Sequence, residues 1–394
     1  MSALISWLLL ALLGLILLPV SVLAVQVLLA GRTSRSAPDL PTRPRLAVLM
    51  PAHNEALLIA RTVAGVLPQL QSGDRLLVVA DNCSDDTAAL ARQAGAEVVE
   101  RCDPQLRGKG YALAFGREHL QADAPDIVVI LDADCELGEQ ALQRLAAACV
   151  ATARPVQALY LMRAPQQSGL KVRIAEFAWR VKNLLRPSGW AVLGLPCQLM
   201  GSGMAFAWRD LGAINLASGH LVEDLQMGLD LCRQGRPPLF CPAAQVISYF
   251  PSSDEGLSSQ RTRWEHGHLG VILNEVPRLL SESFRRSDWR LLGMTLDLLV
   301  PPLALLTLLV LLVLVVAWGW LVVSTEAEPA LLATLLAALL GTTVLLAWWR
   351  CGRDLLSLTT LLYAPVYALK KLPLYLGFAL KRQVEWVRSR RDEP

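Results

Sequence analysis

Polar side chains that could bind a ligand follow three short apolar segments of this sequence. The segments are Arg45–Met50, Leu76–Ala80 and Ile127–Leu131. The polar residues after them are His53, Asn54 and Glu55, then Asp81, and finally Asp132 and Asp134. Each residue taken alone has a simpler role as a helix cap or in a solvated turn. Three such sets after three predicted strands indicate a binding site at one edge of a sheet.

The spacing of Asp132 and Asp134 suits a divalent cation. Two carboxylates on one turn can both face an ion that diphosphate oxygens hold from the other side, although this spacing also arises by chance. Oxygen ligands favour Mg²⁺ or Mn²⁺ over zinc. Lys109 lies in a glycine-flanked basic turn, Arg107–Gly110, at a predicted helix N-terminus. Such a turn is either a phosphate site or a plain exposed turn.

Three features further along the chain could complete a site for group transfer. They are a small-residue turn at Gly201–Gly203, the pair Glu223 and Asp224 before an apolar helix, and the set Gln260, Arg263 and Trp264 after a polar loop. Asp224 could serve either as a reactive carboxylate or only as a charge at a helix N-terminus. Arg263 offers a positive charge for a leaving phosphate, and Trp264 offers a flat surface for a sugar face.

Alternating strand and helix patterns must position these residues. Apolar residues recur at helical spacing after the first strand, from Leu58 to Leu70, and a further short strand is predicted at Ala96–Val99. This alternation predicts an α/β fold with a parallel sheet, in which ligands bind beyond the carboxyl ends of the strands. The sequence contains no convincing Ser-His-Asp or Cys-His set, so nucleophilic catalysis is not predicted.

The apolar residues are concentrated in segments of the chain. Hydrophobic residues make up 54% and charged residues 18% of the 394 residues, and the mean hydropathy is +0.41, which excludes disorder. The net charge of +3 excludes a large basic surface for nucleic acid.

Uncharged runs at 1–31, 298–325 and 329–349 are long enough to cross a membrane. The predicted domains are a transmembrane anchor at 1–31, a central domain at 40–290, two transmembrane helices within 291–350, and an interfacial or re-entrant helix with a basic tail at 354–394.

Charges beside the apolar runs predict a topology. Arg32, Arg35, Arg43 and Arg45 follow the first run and no positive charge precedes it, so a cleaved signal peptide is not predicted. The positive-inside rule places the N-terminus outside and the central domain in the cytoplasm, at a bacterial-type inner membrane crossed several times. Segment 355–380 is interrupted by prolines and a lysine pair, so we expect it to lie in the interface.

Two further sets of residues carry expectations of their own. Asp297, which directly precedes the second uncharged run, is expected at its edge, within reach of water or a lysine. The eight cysteines lack metal-ligand spacing and are expected to be small buried hydrophobic residues.

Together the motifs resemble the membrane-embedded family 2 glycosyltransferases, the inverting enzymes similar to cellulose, chitin and hyaluronan synthases, which have a GT-A fold. The resemblance covers roughly residues 40–290. It rests on PAHNE at 51–55, Asp81, RGKG at 107–110, DAD at 132–134, ED at 223–224 and QRTRW at 260–264, the last being the most specific.

The resemblance implies a role for each matching residue. Asp81 would contact the nucleobase of a nucleotide sugar, bordered by Ala52, His53 and Glu55. Asp132 and Asp134 would hold Mg²⁺ or Mn²⁺ and the diphosphate, with Lys109 near the phosphates. Asp224 would be the general base, while Gly203, Glu223, Gln260, Arg263 and Trp264 would line the acceptor and diphosphate side. These roles agree with inverting transfer, which needs a carboxylate to take the acceptor proton and a cation to stabilise the departing nucleoside diphosphate.

The predicted activity is transfer of a hexosyl or N-acetylhexosaminyl group from a UDP-sugar to a membrane-associated glycan or lipid, in polysaccharide synthesis. Three crossings form a small channel for a long polymer, so a single transfer to a glycolipid or polyprenyl-linked acceptor is the close alternative. A catalytically silent scaffold is less favoured, because it would have no chemical reason to keep every expected position. A transporter is less favoured because the three helices carry no evident charge network.

Segment Lys171–Trp190 alternates basic and apolar residues and fits either an interfacial helix or an amphipathic core helix.

Overall fold

The computed structural model describes residues 2–31, 43–217, 222–251 and 253–380. The arginines predicted to follow the first membrane run at positions 32 and 35, and the predicted basic tail after residue 380, lie outside the described residues. The chain divides into two compact units. A sheet unit contains residues 43–165 and 194–267 with the gaps just stated, and a helical unit contains 2–31, 166–193 and 268–380.

Eight strands form one sheet within the described ranges. In chain order they are β1 (Leu46–Ala52), β2 (Arg75–Asp81), β3 (Glu97–Arg101), β4 (Ile127–Ile130), β5 (Glu136–Leu137), β6 (Val156–Arg163), β7 (Met204–Ala207) and β8 (Leu239–Tyr249). Their order across the sheet is β3-β2-β1-β4-β7-β6-β8-β5.

The α-helices found in the same ranges are also numbered along the chain. They are α1 (Ser2–Leu29), α2 (Ile59–Val66), α3 (Thr87–Gln93), α4 (Lys109–Leu120), α5 (Ala141–Thr152), α6 (Leu170–Arg180), α7 (Arg186–Val192), α8 (Trp208–Gly212), α9 (Glu223–Arg233), α10 (Asp254–Arg286), α11 (Trp289–Leu299), α12 (Leu303–Ser324), α13 (Glu328–Cys351), α14 (Leu358–Leu361), α15 (Ala364–Lys370) and α16 (Leu372–Leu380). A π-helical turn at Val181–Leu185 joins α6 to α7.

The sheet is mixed, which corrects the prediction of a parallel sheet. Strands β1 to β4 are parallel to one another, as the sequence pattern indicated. Strand β7 runs antiparallel to both β4 and β6, and β5 runs antiparallel to β8. Strands β6 and β8 pair in parallel. The prediction was wrong for β7 and β5, which are four and two residues long and too short to show a pattern in the sequence.

The reversal at β7 brings a second loop to the edge where the first strands end. Ile130, the last residue of β4, pairs with Met204, the first residue of β7. The residues before β7 therefore lie beside the residues after β4, and the Gly203 amide donates to the Ile130 carbonyl over 2.9 Å. Predicted site residues from distant parts of the sequence thus converge at one edge.

Close packing fixes the helix that carries Lys109. Helix α4 lies against β1 and β2, and a methyl group added at Gly116 would come within 2.4 Å of Leu49 and 2.8 Å of Val79. Only glycine permits this approach of the helix to the strands. The N-terminus of α4, with Lys109 as its first residue, is held at the same edge of the sheet.

Three helices of the helical unit are long and apolar enough to cross a membrane, and they match the three predicted runs. They span Ala3–Leu29, Leu303–Ser324 and Glu328–Cys351. At one end of the unit Arg350 of α13 donates to the carbonyl oxygens of Val27, Leu28 and Ala30 of the first helix. At the other end Ser6 donates to Glu326 in the loop between α12 and α13. The three helices therefore alternate in direction.

Helices α6 and α7, which cover the segment Lys171–Trp190, belong to the helical unit. Arg180 donates to a carboxylate oxygen of Asp354 over 2.7 Å, and Trp190 donates to the Gly293 carbonyl over 2.9 Å. Residues 166–193 and 268–380 cluster with the apolar helices, while residues 43–165 and 194–267 form the sheet unit. Helices α14 to α16 contain four, seven and nine residues, too few to cross a membrane singly.

The surroundings of Asp297 differ from the expectation. Its side chain is buried, and the guanidinium of Arg186 donates to it over 2.8 Å while the Gln26 amide donates over 2.6 Å. The side chain is therefore not exposed to water, whereas a residue at the edge of the run was expected to be. The partner is an arginine 111 residues earlier in the chain, which sequence spacing could not identify.

The cysteines largely match the expectation. All eight are free; six are buried, Cys83 is half-buried and Cys102 is exposed.

Candidate active site

Asp132 and Asp134 occupy a short loop directly after β4. The loop is fixed from behind, since the hydroxyl of Thr62 donates to the Ala133 carbonyl over 2.8 Å and the Asp132 amide donates to the Ser202 hydroxyl over 3.0 Å. Asp132, Asp134 and Cys135 each offer one possible ligand atom, and these three atoms lie within 4.8 Å of one another. The two carboxylates are half-buried and can share one ion.

The chemistry of this loop fits a hard divalent cation. Burial, and after it the charges of Asp134 and Asp132, raise the pKa of the Cys135 thiol well above its ordinary value. Cys135 is therefore a neutral thiol at physiological pH, and the anionic ligands are carboxylate oxygens. Oxygen ligands are those preferred by Mg²⁺ and Mn²⁺.

Lys109 provides a positive charge beside this loop. Its ammonium group donates to Asp132 and, over 2.7 Å, to the carbonyl of Gly201. Burial opposes the charge of Lys109, but the carboxylates of Asp132, Glu223 and Asp224 raise its pKa above the ordinary value. Gly108 before it has φ of +126°, a conformation that favours glycine at the start of this helix.

Gly201 is the point at which the two acidic motifs meet. Its φ is +90°, and a methyl group there would lie 3.3 Å from a carboxylate oxygen of Asp224 and 3.7 Å from the Lys109 nitrogen. The buried amide of Gln157 holds the loop, since it donates to the Ser202 carbonyl and accepts from the Met200 amide over 2.9 and 2.8 Å.

Gly203, predicted to line the acceptor and diphosphate side, is surrounded by protein. Its φ is +70°, and an added methyl group would come within 2.6 Å of Val246 and 2.8 Å of Ala158. Its amide and carbonyl bond to β4 and β6. The structure thus gives Gly203 a role in packing the loop onto the sheet.

Glu223 and Asp224 form the first turn of α9. Burial and the charge of Asp224 raise the pKa of Glu223 to about 7, against the opposing charges of Lys109 and Arg263. Glu223 therefore exchanges its proton near neutral pH. The carboxylates of this pair, like Asp132, act electrostatically on Lys109.

The predicted set at 260–264 lies in α10, beside the start of α9. A methyl group added at Gly267 would come within 2.6 Å of Val222, so the two segments are in close contact. Arg263 acts electrostatically on Glu223, and Trp264 after it is half-buried. Gln260 is 5% exposed, and its side-chain oxygen has no hydrogen-bond partner among the described residues.

The ends of β1 and β2 form a second group at the same sheet edge. His53 bonds through Nδ1 to the Asp81 carbonyl over 2.7 Å, and the Glu55 amide donates to the Thr87 hydroxyl over 2.8 Å. Arg101 donates to the Asp81 carboxylate over 2.7 Å in a nearly buried ion pair. Sequence reasoning missed Arg101, whose only signal is its place at the end of β3 beside Asp81.

The sequence model of the family described as "Glycosyltransferase like family 2" matches residues 44–267, more than half of the chain. The chain belongs to glycosyltransferase family 2. Its sheet unit has the GT-A-like α/β fold that the resemblance implied. The matched residues include every predicted site residue of this family 2 glycosyltransferase.

Relatives of this family 2 glycosyltransferase share the same part of the chain. The Bacillus subtilis protein named "Probable glycosyltransferase YdaM" is 25% identical over 276 residues, which are 63% of this chain and 60% of YdaM. An uncharacterised glycosyltransferase of Mycobacterium tuberculosis is 36% identical over 100 residues, which are 25% of this chain and 41% of that protein. The chain thus spans about half the length of these relatives.

A solved structure resembles nearly the whole of this family 2 glycosyltransferase. The mannosyltransferase PcManGT of Pyrobaculum calidifontis, in complex with GDP-Man and Mn²⁺, covers 94% of this chain, and the match covers 98% of PcManGT. The TM-score is 0.56 and the sequence identity is 18%. At that identity the likeness concerns the fold.

Proposed function

We propose that this family 2 glycosyltransferase moves a sugar from a nucleotide sugar to a membrane-associated acceptor and inverts the anomeric centre. The observation that carries the proposal is the meeting of Lys109, Asp132 and Asp224 at the Gly201 loop. A diphosphate beside Lys109 and Asp132 would place the sugar of the donor toward Asp224. Donor binding and proton transfer then occur within one site.

Asp132 and Asp134 are proposed to hold Mg²⁺ or Mn²⁺. When bound there, the cation would supply positive charge that stabilises the departing nucleoside diphosphate. Lys109 and Arg263 would add fixed positive charge toward the same phosphates. Ala52, His53, Glu55 and Asp81 are proposed to border the nucleoside, since they lie at the ends of β1 and β2.

Asp224 is proposed to be the general base. Its carboxylate would take the proton of the acceptor hydroxyl as the acceptor oxygen bonds to the anomeric carbon and the bond from that carbon to the diphosphate breaks. Glu223, Gln260 and Trp264 are proposed to line the acceptor side. The side-chain oxygen of Gln260 is buried and has no hydrogen-bond partner in the part of the chain that the structure describes. This supports the proposal, because a buried polar atom without a partner is costly unless a ligand satisfies it.

The three long apolar helices support an acceptor held at a membrane. We propose the N-terminus outside and the sheet unit in the cytoplasm of a bacterial-type inner membrane. A growing polysaccharide is the proposed acceptor class, and a single transfer to a glycolipid or polyprenyl-linked acceptor is the alternative. A silent scaffold is disfavoured, because four carboxylates and a lysine held at one site are costly without a ligand.

Nucleotide release tests the proposal. The full chain in lipid nanodiscs, given Mn²⁺, bacterial lipids and a panel of UDP-sugars together with GDP-mannose, should release nucleoside diphosphate with one donor. Asp224→Asn should slow turnover by roughly 10²–10⁴-fold, as expected for loss of a general base, and still bind nucleotide. Mass spectrometry of the product separates a polymer from a single transfer. No release with any donor, and an unchanged Asp224→Asn phenotype in cells, would overturn the proposal.

A further inference from the structure

Both carboxylate oxygens of Asp134 accept hydrogen bonds from neighbouring side chains. The Ser248 hydroxyl donates to Oδ2 over 3.0 Å, and the Cys135 thiol approaches Oδ1 at 3.5 Å. Ser248 is fully buried and comes from β8, whereas Asp134 follows β4. An element distant in sequence therefore determines the direction in which this carboxylate points.

A third residue stands behind Ser248. Tyr160 of β6 is hydrogen-bonded to Ser248 through its hydroxyl and is 6% exposed. Tyr160 pairs with Val246, and Met162 pairs with Ser248, in parallel register. Residues two apart on a strand share a face, so Tyr160 and Ser248 lie on the same face of neighbouring strands. The Tyr160 hydroxyl of β6 thus lies next to the Ser248 hydroxyl of β8, which bonds to Asp134.

The other oxygen of Asp134 connects back to its own loop. The Ser202 hydroxyl accepts from the Asp132 amide over 3.0 Å and donates to the Cys135 sulfur over 3.3 Å. These hydrogen bonds connect Asp132 to Asp134 through Ser202 and Cys135, and so restrain the two aspartates relative to each other. The thiol contact is weak, however, so the stronger orienting bond is the one from Ser248.

We infer that Ser248, oriented by Tyr160, is a positioning residue that aims Asp134 at the divalent cation. The inference rests on the proposed cation role of Asp132 and Asp134. A carboxylate held in one orientation by hydrogen-bond donors still has lone pairs for a cation, and a ligand that is ordered before binding increases metal affinity. Neither Ser248 nor Tyr160 belongs to a motif that the sequence showed.

Mn²⁺ titration of the full chain in nanodiscs tests the inference without catalysis. Free Mn²⁺ gives an electron paramagnetic resonance signal that is lost on binding, so the dissociation constant can be measured directly. Ser248→Ala should weaken Mn²⁺ binding by roughly 10–100-fold, the usual effect of losing such a supporting bond. Tyr160→Phe removes only a hydroxyl and should weaken binding by a smaller factor, roughly threefold to tenfold.

Tyr249→Phe is the matched control. This residue adjoins Ser248, and its hydroxyl donates to Glu136 over 3.4 Å, not to Asp134. The control should bind Mn²⁺ as the wild type does. Thermal unfolding of all variants shows whether each is folded at the assay temperature.

Two outcomes separate this inference from the proposed function. If the wild type binds Mn²⁺ and Ser248→Ala and Tyr160→Phe bind it equally tightly, the inference is overturned and the proposed function stands. If the wild type and all variants leave the Mn²⁺ signal unchanged, both are overturned.

Discussion

The ammonium group of Lys109 is hydrogen-bonded to the carboxylate of Asp132. The same nitrogen donates to the Gly201 carbonyl, and a methyl group at Gly201 would be in contact with Asp224. One lysine thus stabilises the Asp132 carboxylate of the loop after β4 through a direct bond, and the carboxylates at the start of α9 through charge. Its removal should therefore affect anions and cations in opposite directions.

Lys109→Gln should weaken binding of a nucleoside diphosphate while leaving Mn²⁺ binding equal or tighter. Loss of one charge-assisted hydrogen bond corresponds to roughly tenfold in nucleotide affinity. Mn²⁺ should bind at least as well, because a positive charge beside Asp132 is removed. Calorimetry with UDP and Mn²⁺ titration measure the two constants. Arg92→Gln removes the same charge from an exposed ion pair with Glu100 and should change neither. Equal weakening of both ligands would indicate a folding role for Lys109.

Glu223→Gln should stabilise the protein at pH 8 more than at pH 5. The pKa of Glu223 is raised to about 7 in the folded chain, so folding favours its protonated form. Stability contributed by this group is present below its ordinary pKa and is lost as pH rises through about 7. The difference corresponds to on the order of 3 kcal/mol. Thermal unfolding midpoints in EDTA at the two pH values measure it, and equal shifts at both would contradict the assigned cause.

Gly203→Ala should destabilise the chain by roughly 2–4 kcal/mol, because it combines a positive φ with overpacking. The new methyl group would lie 2.6 Å from Val246 and 2.8 Å from Ala158. Gly212→Ala is the matched control, since Gly212 has open space around its added methyl group and no positive φ. Chemical denaturation of both variants provides the comparison. A Gly203→Ala variant as stable as the control would mean that the loop rearranges freely.

Arg186 and Asp297 form a buried ion pair. Arg186→Leu alone or Asp297→Leu alone should destabilise the helical unit by about 3–5 kcal/mol, because one charge remains buried without its partner. The double variant Arg186→Leu with Asp297→Leu should recover much of the loss. Asp354→Asn removes the exposed partner of Arg180 and should cost less than about 1 kcal/mol. Thermal unfolding in detergent ranks the variants. A double variant less stable than both single variants would contradict this account.

Local patterns predicted the first half of the sheet well. The apolar runs at β1, β2 and β4 appear in the structure within two residues of their predicted ends, and the carboxylates that follow them lie at one edge. These features depend on short-range alternation and on the geometry of parallel strands, both of which a sequence contains.

Long-range pairing could not be predicted in the same way. Strand β7 is four residues long, and its place between β4 and β6 depends on partners many residues away. The support of Asp134 by Ser248 and the pairing of Asp297 with Arg186 span 114 and 111 residues. An isolated serine or arginine carries no signal of such a contact. The supporting residues of the site were therefore missed, while those in motifs were found.

The contacts of α1 with α11 and α13 have a consequence for biosynthesis. Arg350 reaches the carbonyls of α1 across 320 residues, and Gln26 bonds to Asp297 across 271 residues. At a translation rate of 5–20 residues per second, roughly 15 to 60 seconds separate the synthesis of these partners. During that interval the first helix has left the ribosome, but Gln26 and the carbonyl groups at the end of the helix lack their hydrogen-bond partners. A membrane insertase that shields α1 until α13 is made should therefore increase the yield of folded protein.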